Sequence, residues 1–480
     1  MEMLHALLLG IFMYVRDMFF EQTGETSQLS DEINALCIKY GELFSCQSER
    51  YMPKTQFSGG IRRGKLMAKE YTGVLLVLAA VLRSSHGRKL LTDETNKSNN
   101  GQFTGKGLLQ DWIMLIETLL QWETWLKSDR MEKSDVKKAE YKHRYIMFLI
   151  KKIGKRAKGM GLKTTKFHAI MHMAEDILNF GVPNNFDTGA NESGHKPTKT
   201  AAKLTQQQFE TFEEQTNTRL TEVHCLDLAA EEMEGRRLWD YDQGFEFKHQ
   251  NAKKIPPPYL GGAQFNVHYC QESRAYSIKL ATRMQGLEKM RVEKAFVDWV
   301  GVLQRKVGFP VPIYANHYRD GITFRGSPMH TGKVWRDWVM VDWANDDVLP
   351  SKVWGFVDLR ALPEDNDVQY GGYDGITPGL HAIVECADYV TTEIEVQRSE
   401  IFVPILKEVG EIRQGRVTKL KFYLAEVEAI VAPLAVIPDI GGPPNGYFVV
   451  RHRLQWQKDF VAWLREGQEV SEDDITEYDG

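Results

Sequence analysis

The 480-residue sequence lacks the features that mark several classes of protein. It holds only five cysteines and no Cys-x-x-Cys pair, which excludes a disulfide framework and favours a reducing compartment. No apolar run approaches the roughly 20 residues that a membrane-spanning helix needs. The formal charge is only −5, so no overall basic field indicates nucleic acid. With 42% apolar and 26% charged residues, the composition is that of a globular chain of two to four domains.

Two apolar stretches still need an interpretation. The stretch 1–14 has the hydropathy of a signal peptide, but Glu2 stands where a basic residue belongs and no small-residue cleavage site follows. The stretch Val74–Leu82 is too short to cross a bilayer. We interpret both as buried helices, and we expect no membrane partner.

The first half of the sequence predicts helices. Apolar residues recur at helical spacing between Leu4 and Val15, giving one apolar face. Further helices are predicted at Glu70–Leu82, which is apolar all round, at the tryptophan-rich Leu108–Leu126 and at Tyr141–Ile153.

The second half predicts strands. A proline- and glycine-rich break, Lys253–Gly262, is followed by one helix at Ala295–Val307. Short β-branched and aromatic segments bounded by turn residues then follow, namely Trp335–Trp343, Lys352–Leu359, His381–Ala387, Lys419–Ile430 and Tyr447–Arg451. This pattern predicts a small antiparallel barrel or sandwich, with an amphipathic helix at Trp456–Leu464 closing it.

The predicted fold class is therefore α+β, with a mostly helical half followed by a small antiparallel β-barrel. We place the helical part at residues 1–225, a linker at 226–262 and the β domain with its flanking helices at 263–465. Residues 466–480 are rich in acidic side chains, which is typical of a disordered tail.

Positive charge is concentrated in one region. Between Lys133 and Lys166, twelve lysines and arginines stand against two acids, a local balance of +10. We predict DNA contacts here from Lys151, Lys152, Lys155 and Arg156. The run 151–158, KKIGKRAK, also has the composition of a nuclear localisation signal, and its alternative is a solvated helix end.

A histidine pair follows this basic region. His168 and His172 are four residues apart, so a helix places both imidazoles on one face, as a metal site requires. A zinc protease would have glutamate directly after the first histidine, where this chain has Ala169. The alternative is structural, with one histidine in the core and the other capping a helix or solvated.

An acidic residue and a lysine series come next. Glu192 lies in a polar stretch, and Lys196, Lys199 and Lys203 follow at steps of three and four. A carboxylate that holds a divalent metal beside lysines suits a phosphodiester. The alternative is a solvated helix start. A metal-dependent hydrolase of another kind would need further acids, for which Asp176 and Asp187 are the nearest candidates.

Three segments together resemble a known family. The run from Phe167 to Lys196 is similar to the last catalytic block of RNase H-like DDE transposases of the CACTA-like type. The matching positions are Phe167, His168, His172, Asp176, Ile177, Phe180, Gly181, Pro183, Asn185, Asp187, Thr188, Gly189, Glu192, His195 and Lys196. The opening EMLHALLLG and the stretch Pro53–Leu82 resemble earlier parts of the same family. The β half resembles, more loosely, bromo-adjacent-homology-like modules.

The resemblance implies a nuclear enzyme that cuts and joins DNA with two Mg²⁺ or Mn²⁺ ions held by three carboxylates. It makes Glu192 the last carboxylate and gives Glu2 the middle acidic position. The first would lie on the opening strands of the fold, which do not precede Met1, so we expect a C-terminal portion with incomplete activity. A related lineage binds Zn²⁺ through such a histidine pair and a Cys pair, and His168 and His172 match the first half.

The main alternative is a non-catalytic module that binds chromatin or another protein through the β domain. Five aromatic residues there, Trp335, Trp338, Trp343, Trp354 and Phe356, are candidates for a methyl-lysine cage. Their alternative is the core of the barrel, since strands bury alternating aromatic side chains. The sequence leaves the oligomeric state open.

Overall fold

A computed structural model describes residues 3–24, 27–45, 52–62, 66–93, 105–153, 165–183, 198, 200–206, 210–233, 259–270, 275–280, 294–320, 322–330, 333–343, 347–362, 376–390, 401–408, 412–413, 416–417 and 422–466. The α+β class is confirmed, because helices fill the first part of this range and antiparallel strands most of the rest. Within these ranges, no helix combines the length and the hydropathy needed to cross a bilayer.

The first half folds as helices around one apolar core. A π-helical segment, Met3–Phe12, continues directly into α1 (Met13–Thr23). The other helices around this core are α2 (Gln28–Ser45), α3 (Tyr71–Arg83), α4 (Ser85–Thr92), α5 (Gly105–Leu126), α6 (Lys133–Ile153), α7 (Thr165–Met171) and α8 (Met173–Phe180). Helix α9 (Phe212–Met233) follows, and most of its described side chains are exposed. The helices predicted in this half are confirmed, and α6 begins eight residues earlier than expected.

Helix α3 lies at the centre of this core, because all thirteen of its residues are buried. Its polar side chains are paired inside the protein. The Arg83 guanidinium donates to both oxygens of Glu117 at 2.9 and 2.8 Å, and the Thr72 hydroxyl donates to Glu123 at 3.0 Å. A helix predicted to be apolar all round is therefore buried all round, as the sequence indicated.

The second half forms an antiparallel barrel with additional strands. Its strands are β1 (Tyr259–Cys270), β2 (Ala275–Leu280), β3 (Ile313–Arg319), β4 (Ile322–His330), β5 (Lys333–Arg336), β6 (Trp338–Trp343), β7 (Asp347–Asp358), β8 (Leu380–Tyr389), β9 (Phe402–Lys407), β10 (Ile412–Arg413), β11 (Arg416–Val417), β12 (Tyr423–Glu426), β13 (Ile430–Pro438) and β14 (Gly446–Val450). Strands β6, β7, β8, β9, β14 and β13 pair in that order, and β13 returns to β6, so the ring is closed. Of the barrel and the sandwich, the barrel is therefore correct.

Helix α10 (Lys294–Val307) covers one side of the strands. Its buried residues Phe296, Val300 and Leu303 pack with Trp354 and Val357 of β7. The Phe296 and Trp354 rings lie 5.2 Å apart. This helix matches the prediction at Ala295–Val307 to within one residue.

Another side of the barrel packs against the helical half. In β9, Val403 joins the apolar cluster between the strands, whereas its neighbour Phe402 joins the helical core. Val449 and Val450 of β14 divide in the same way. Side chains alternate between the two faces of a strand, so a strand that is apolar on both faces can contribute to two hydrophobic cores. The two halves therefore share a buried interface.

The last helix, α11 (Arg453–Arg465), corrects a prediction. We expected it to close the barrel, but it packs on α5 and α6 of the helical half. Its buried residues Trp456, Phe460 and Leu464 belong to the helical core, and the Phe460 ring lies 5.3 Å from that of Trp125. Strand pairing alone closes the barrel, and the apolar face of α11 packs against the helical core instead.

The five aromatic residues considered for a cage do not converge on one site. Trp338, Trp354 and Phe356 are buried, and each belongs to a different apolar cluster. Only Trp335 and Trp343 are half-buried. The alternative interpretation, that these aromatic residues fill the core, is confirmed for the three buried ones.

The expected linker, 226–262, overlaps regular structure at both ends. Helix α9 continues to Met233, and β1 begins at Tyr259. Residues 234–258 lie outside the described part of the chain, as do all residues of the acidic tail except Glu466.

Candidate nucleic-acid and metal site

The structure describes five of the eleven predicted site residues. These are His168, His172, Lys151, Lys152 and Lys203. The predictions for the other six lie outside the described residues, namely Glu2, Glu192, Lys155, Arg156, Lys196 and Lys199. Lys203 is exposed at the end of a helical stretch that includes residues 200–203, in agreement with the helical spacing of the lysine series.

Two of the family-like segments are in contact. The Lys166 ammonium, at the start of the block that leads to Glu192, donates to the Leu9 carbonyl at 3.0 Å across 157 positions. Beside this bond, the Phe167 and Tyr14 rings lie 5.8 Å apart. The π-helical segment that begins directly after Glu2 therefore packs against α7, which carries the first histidine.

The two histidines lie side by side at the surface. His168 is in α7, and His172 is the residue between α7 and α8. Both are exposed, and their Nε2 atoms lie 3.4 Å apart. A carboxylate oxygen of Glu175 lies 3.6 Å from Nδ1 of His172. The pair thus presents two ring nitrogens to one point, and an acid stands behind one of the rings.

This geometry fits one edge of a zinc site. With Zn–N distances of about 2.0–2.1 Å, two ligands of a tetrahedral ion lie about 3.3 Å apart. Glu175 lies on the Nδ1 side of His172, and the Nε2 side faces His168. Among the residues that the structure describes, no group of three histidines, cysteines or acids converges. A bound zinc ion would thus need at least one ligand from elsewhere or from solvent.

Helix α6 carries a basic stripe, which we define as Lys133, Lys137, Arg144 and Lys151. All four are exposed. At about 100° per residue, they lie within about 40° of one another around the helix and extend over about 27 Å. The buried residues of α6 lie on the other side, among them Ala139, Ile146 and Ile150. The hydrophobic core therefore fixes the direction in which the basic stripe points.

Several acidic side chains lie on or near this helix. Glu140 pairs with Arg144 at 3.0 Å, at an exposed position where such pairs contribute little. Asp135 is buried, and it accepts from Arg465 of α11 at 2.9 and 2.8 Å. Lys152 stands 3.6 Å from Asp111. Most of the positive charge of the helix therefore faces solvent.

The basic stripe and the histidine pair belong to one packed unit. Helix α6 packs against both α7 and α8. The buried residues Ile150 of α6, Ile170 of α7 and Ile177 of α8 lie in the same apolar core. A ligand along the basic stripe would therefore be held at a fixed position relative to His168 and His172.

Sequence reasoning missed the first two turns of α6. Lys133 and Lys137 lie there, and we predicted a helix only from Tyr141 onward. The signal was present as the buried apolar positions Val136 and Ala139, spaced in helical register with Ile146. Four charged residues in 137–142 obscured it.

Comparison with protein-family models, with curated proteins and with solved structures found no match for this chain.

Proposed function

We propose that this chain is a DNA-binding protein derived from a CACTA-like, RNase H-like DDE transposase, and that it acts in the nucleus. The contact between Lys166 and Leu9 is the observation that carries the proposal. In the family, the middle and last carboxylates must meet at one metal pair, so the segments that bear them must pack together. The contact between Met3–Phe12, which follows Glu2, and α7, which precedes Glu192, supports this arrangement.

The second support is electrostatic. DNA binding depends on cations that replace the counterions around phosphates. The basic stripe of α6 presents four such cations along about 27 Å of helix, on the same packed unit as α7. Because the whole sequence has a net charge of −5, the concentration of positive charge on α6 is a local feature of this surface.

Duplex affinity across a salt series tests the binding. We expect the logarithm of the association constant to fall steeply with the logarithm of salt concentration. Replacing Lys137, Arg144 and Lys151 together by glutamine should reduce the slope by about three, because each phosphate contact contributes about one.

The matched control removes the same charge elsewhere. Lys39, Lys69 and Lys89 are exposed and lie on or beside α2, α3 and α4. Their replacement by glutamine should leave the slope within about one unit of the parent. A parent slope near zero, or equal losses in both triple variants, would contradict DNA binding through α6.

The catalytic part of the proposal rests on Glu192 and Glu2 as two of three metal-binding carboxylates for Mg²⁺ or Mn²⁺. The change Glu192→Ala should abolish metal-dependent nicking and leave duplex affinity unchanged. As a control, Glu213→Ala changes an exposed acid on α9 and should affect neither. A Glu192→Ala protein that nicks as fast as the parent would remove the catalytic role.

A further inference from the structure

A pair of stacked tyrosines, one exposed and one half-buried, lies on the sheet that extends the barrel. Tyr259 of β1 is opposite Tyr318 of β3, and their rings stack with centroids 4.5 Å apart and planes 20° apart. Tyr259 is 44% exposed. A Cβ atom at Gly261 would lie 3.0 Å from the Tyr318 ring, so the glycine leaves room for this stack. One flat aromatic face is therefore directed toward solvent.

A second flat group lies beside the first. The guanidinium of Arg325 in β4 stands over the Trp335 indole of β5, 5.4 Å from the ring centroid. Asn316 connects the two groups, because it lies opposite Arg325 and donates from Nδ2 to the Tyr318 hydroxyl at 3.0 Å. We call Tyr259, Asn316, Tyr318, Arg325 and Trp335 the Tyr–Trp face.

A buried acid fixes the orientation of the indole. Asp337 is 3% exposed and accepts from the Trp335 indole N–H and from the Arg325 backbone N–H, each at 2.7 Å. Its charge is therefore turned inward, away from any ligand on the surface. The Tyr–Trp face itself presents aromatic planes, one amide and one guanidinium.

The groups on the Tyr–Trp face favour an unpaired nucleobase over a methylated lysine, two ligands that both bind aromatic side chains. A methyl-lysine cage needs a gap between rings, but Tyr259 and Tyr318 are stacked on each other. The guanidinium of Arg325 would also repel a second cation. An unpaired nucleobase, by contrast, stacks on an aromatic plane while its phosphate is attracted by arginine.

We propose that the Tyr–Trp face binds single-stranded DNA, with one base stacked on Tyr259, a second base further along the nucleic-acid strand beside Trp335, and Arg325 next to the backbone. Tyr259 and Trp335 lie on β1 and β5, with β3 and β4 between them. At about 4.8 Å per strand, the two stacking groups are about 14 Å or more apart, a distance that a few nucleotides span. This goes beyond duplex binding by α6, because a duplex does not offer its base faces. It requires neither Glu192 nor the basic stripe.

Fluorescence anisotropy of the full chain with a labelled oligothymidylate of about 20 nucleotides tests the proposal. We expect Tyr259→Ala to weaken this binding about 10- to 100-fold, since one stacking plane is lost. Tyr259→Phe keeps the plane and should stay within about twofold of the parent. Duplex affinity should be unchanged in both variants.

Tyr389→Ala is the matched control, because Tyr389 is 39% exposed on β8 and lies outside the Tyr–Trp face. It should bind the oligonucleotide as the parent does. Should Tyr259→Ala unfold, Arg325→Gln provides the same test with the stack intact and should weaken binding about tenfold or more. Unchanged affinity in a folded variant of either residue would overturn the proposal. So would an absence of oligonucleotide binding combined with Tyr259-dependent binding of a trimethyl-lysine peptide.

Discussion

Asp439 accepts two hydrogen bonds of 2.7 Å from Ser85, which stands 354 positions earlier in the chain. One comes from the backbone N–H and the other from the hydroxyl. Asp439 lies in the turn between β13 and β14, and Ser85 is the first residue of α4. The next carbonyl of the turn, that of Ile440, accepts the His86 N–H at 2.8 Å. The turn is therefore fastened to a helix N-terminus, where a carboxylate is favoured by the helix dipole.

We expect Asp439→Ala to lower the free energy of unfolding by about 1–3 kcal/mol, because it leaves the Ser85 N–H without its charged acceptor. Ser85→Ala removes only the hydroxyl bond and should cost about 1 kcal/mol. Urea unfolding measures both. Asp388→Ala, at an exposed position on β8, is the control and should change stability by less than about 0.5 kcal/mol. If Asp439→Ala matches this control, the turn does not stabilise the interface.

The second prediction concerns Glu123, a fully buried carboxylate of α5. It accepts from Arg453 of α11 at 2.8 Å and from Thr72 at 3.0 Å, and it is ion-paired with Lys127. Burial alone would raise its pKa, but the charges of Lys127 and Arg453 hold the pKa below its ordinary value. This carboxylate therefore connects the C-terminal helix to the helical core through its charge.

Because Arg453→Met removes one of the two cations, it should destabilise the protein by about 2–4 kcal/mol, toward the cost of breaking a buried pair. Combining it with Glu123→Gln should recover part of this loss, since no unpaired charge then remains buried. Arg144→Met, which breaks an exposed pair with Glu140, should cost less than about 0.5 kcal/mol. Thermal unfolding distinguishes these outcomes, and equal costs for the two single arginine variants would contradict the argument.

The third prediction concerns acid stability. His143 of α6 is fully buried near Trp122 and Trp125, and neither of its ring nitrogens has a hydrogen-bond partner in the structure. Burial lowers the pKa of His143 to about 3. His143 therefore binds a proton near pH 6.5 in the unfolded chain, whereas in the folded chain it stays neutral at that pH.

This difference in pKa determines the direction in which stability changes with pH. Above about pH 6.5 both states are neutral at this residue and stability is unaffected, whereas stability falls as the pH drops from there toward 3. Between pH 7 and pH 5 the loss from His143 is about 2 kcal/mol. The change His143→Phe should remove that part of the pH dependence in urea unfolding curves. A slope between pH 7 and 5 that is the same in the variant would contradict the assignment.

The fourth prediction concerns metal binding at His168 and His172. We expect the chain to compete with a colorimetric zinc chelator, and we expect His172→Gln to weaken zinc binding at least about tenfold, since one of two neighbouring ligands is lost. His224→Gln changes an exposed histidine on α9 and is the control. Zinc affinity that His172→Gln leaves unchanged would exclude the pair as ligands.

The local structure of this protein could be predicted from its sequence because it depends on spacing between near neighbours. The apolar run in α3 predicted a helix buried on every side, and all of its residues are buried. Alternation in β6 placed Val339 and Val341 on one face, and both are buried in the same cluster. The closed barrel followed from several such strands, since antiparallel strands that bury apolar faces favour closure.

The sequence also placed two histidines one helical turn apart, and their ring nitrogens do meet. The aromatic cage failed because a tryptophan on a strand indicates burial or exposure only after its neighbours are known. Trp354 lies under Phe296 of α10, a partner that no local pattern identifies.

By itself, the sequence determined which residues form helices and strands and which face of each element is apolar, because these depend on the helical and strand periods within the chain. The tertiary structure decided what covers each face. It placed α11 on the helical core instead of the barrel, fastened Asp439 to Ser85 and stacked Tyr259 on Tyr318. An apolar or charged side chain can be satisfied by many partners, and only the folded chain brings together residues hundreds of positions apart.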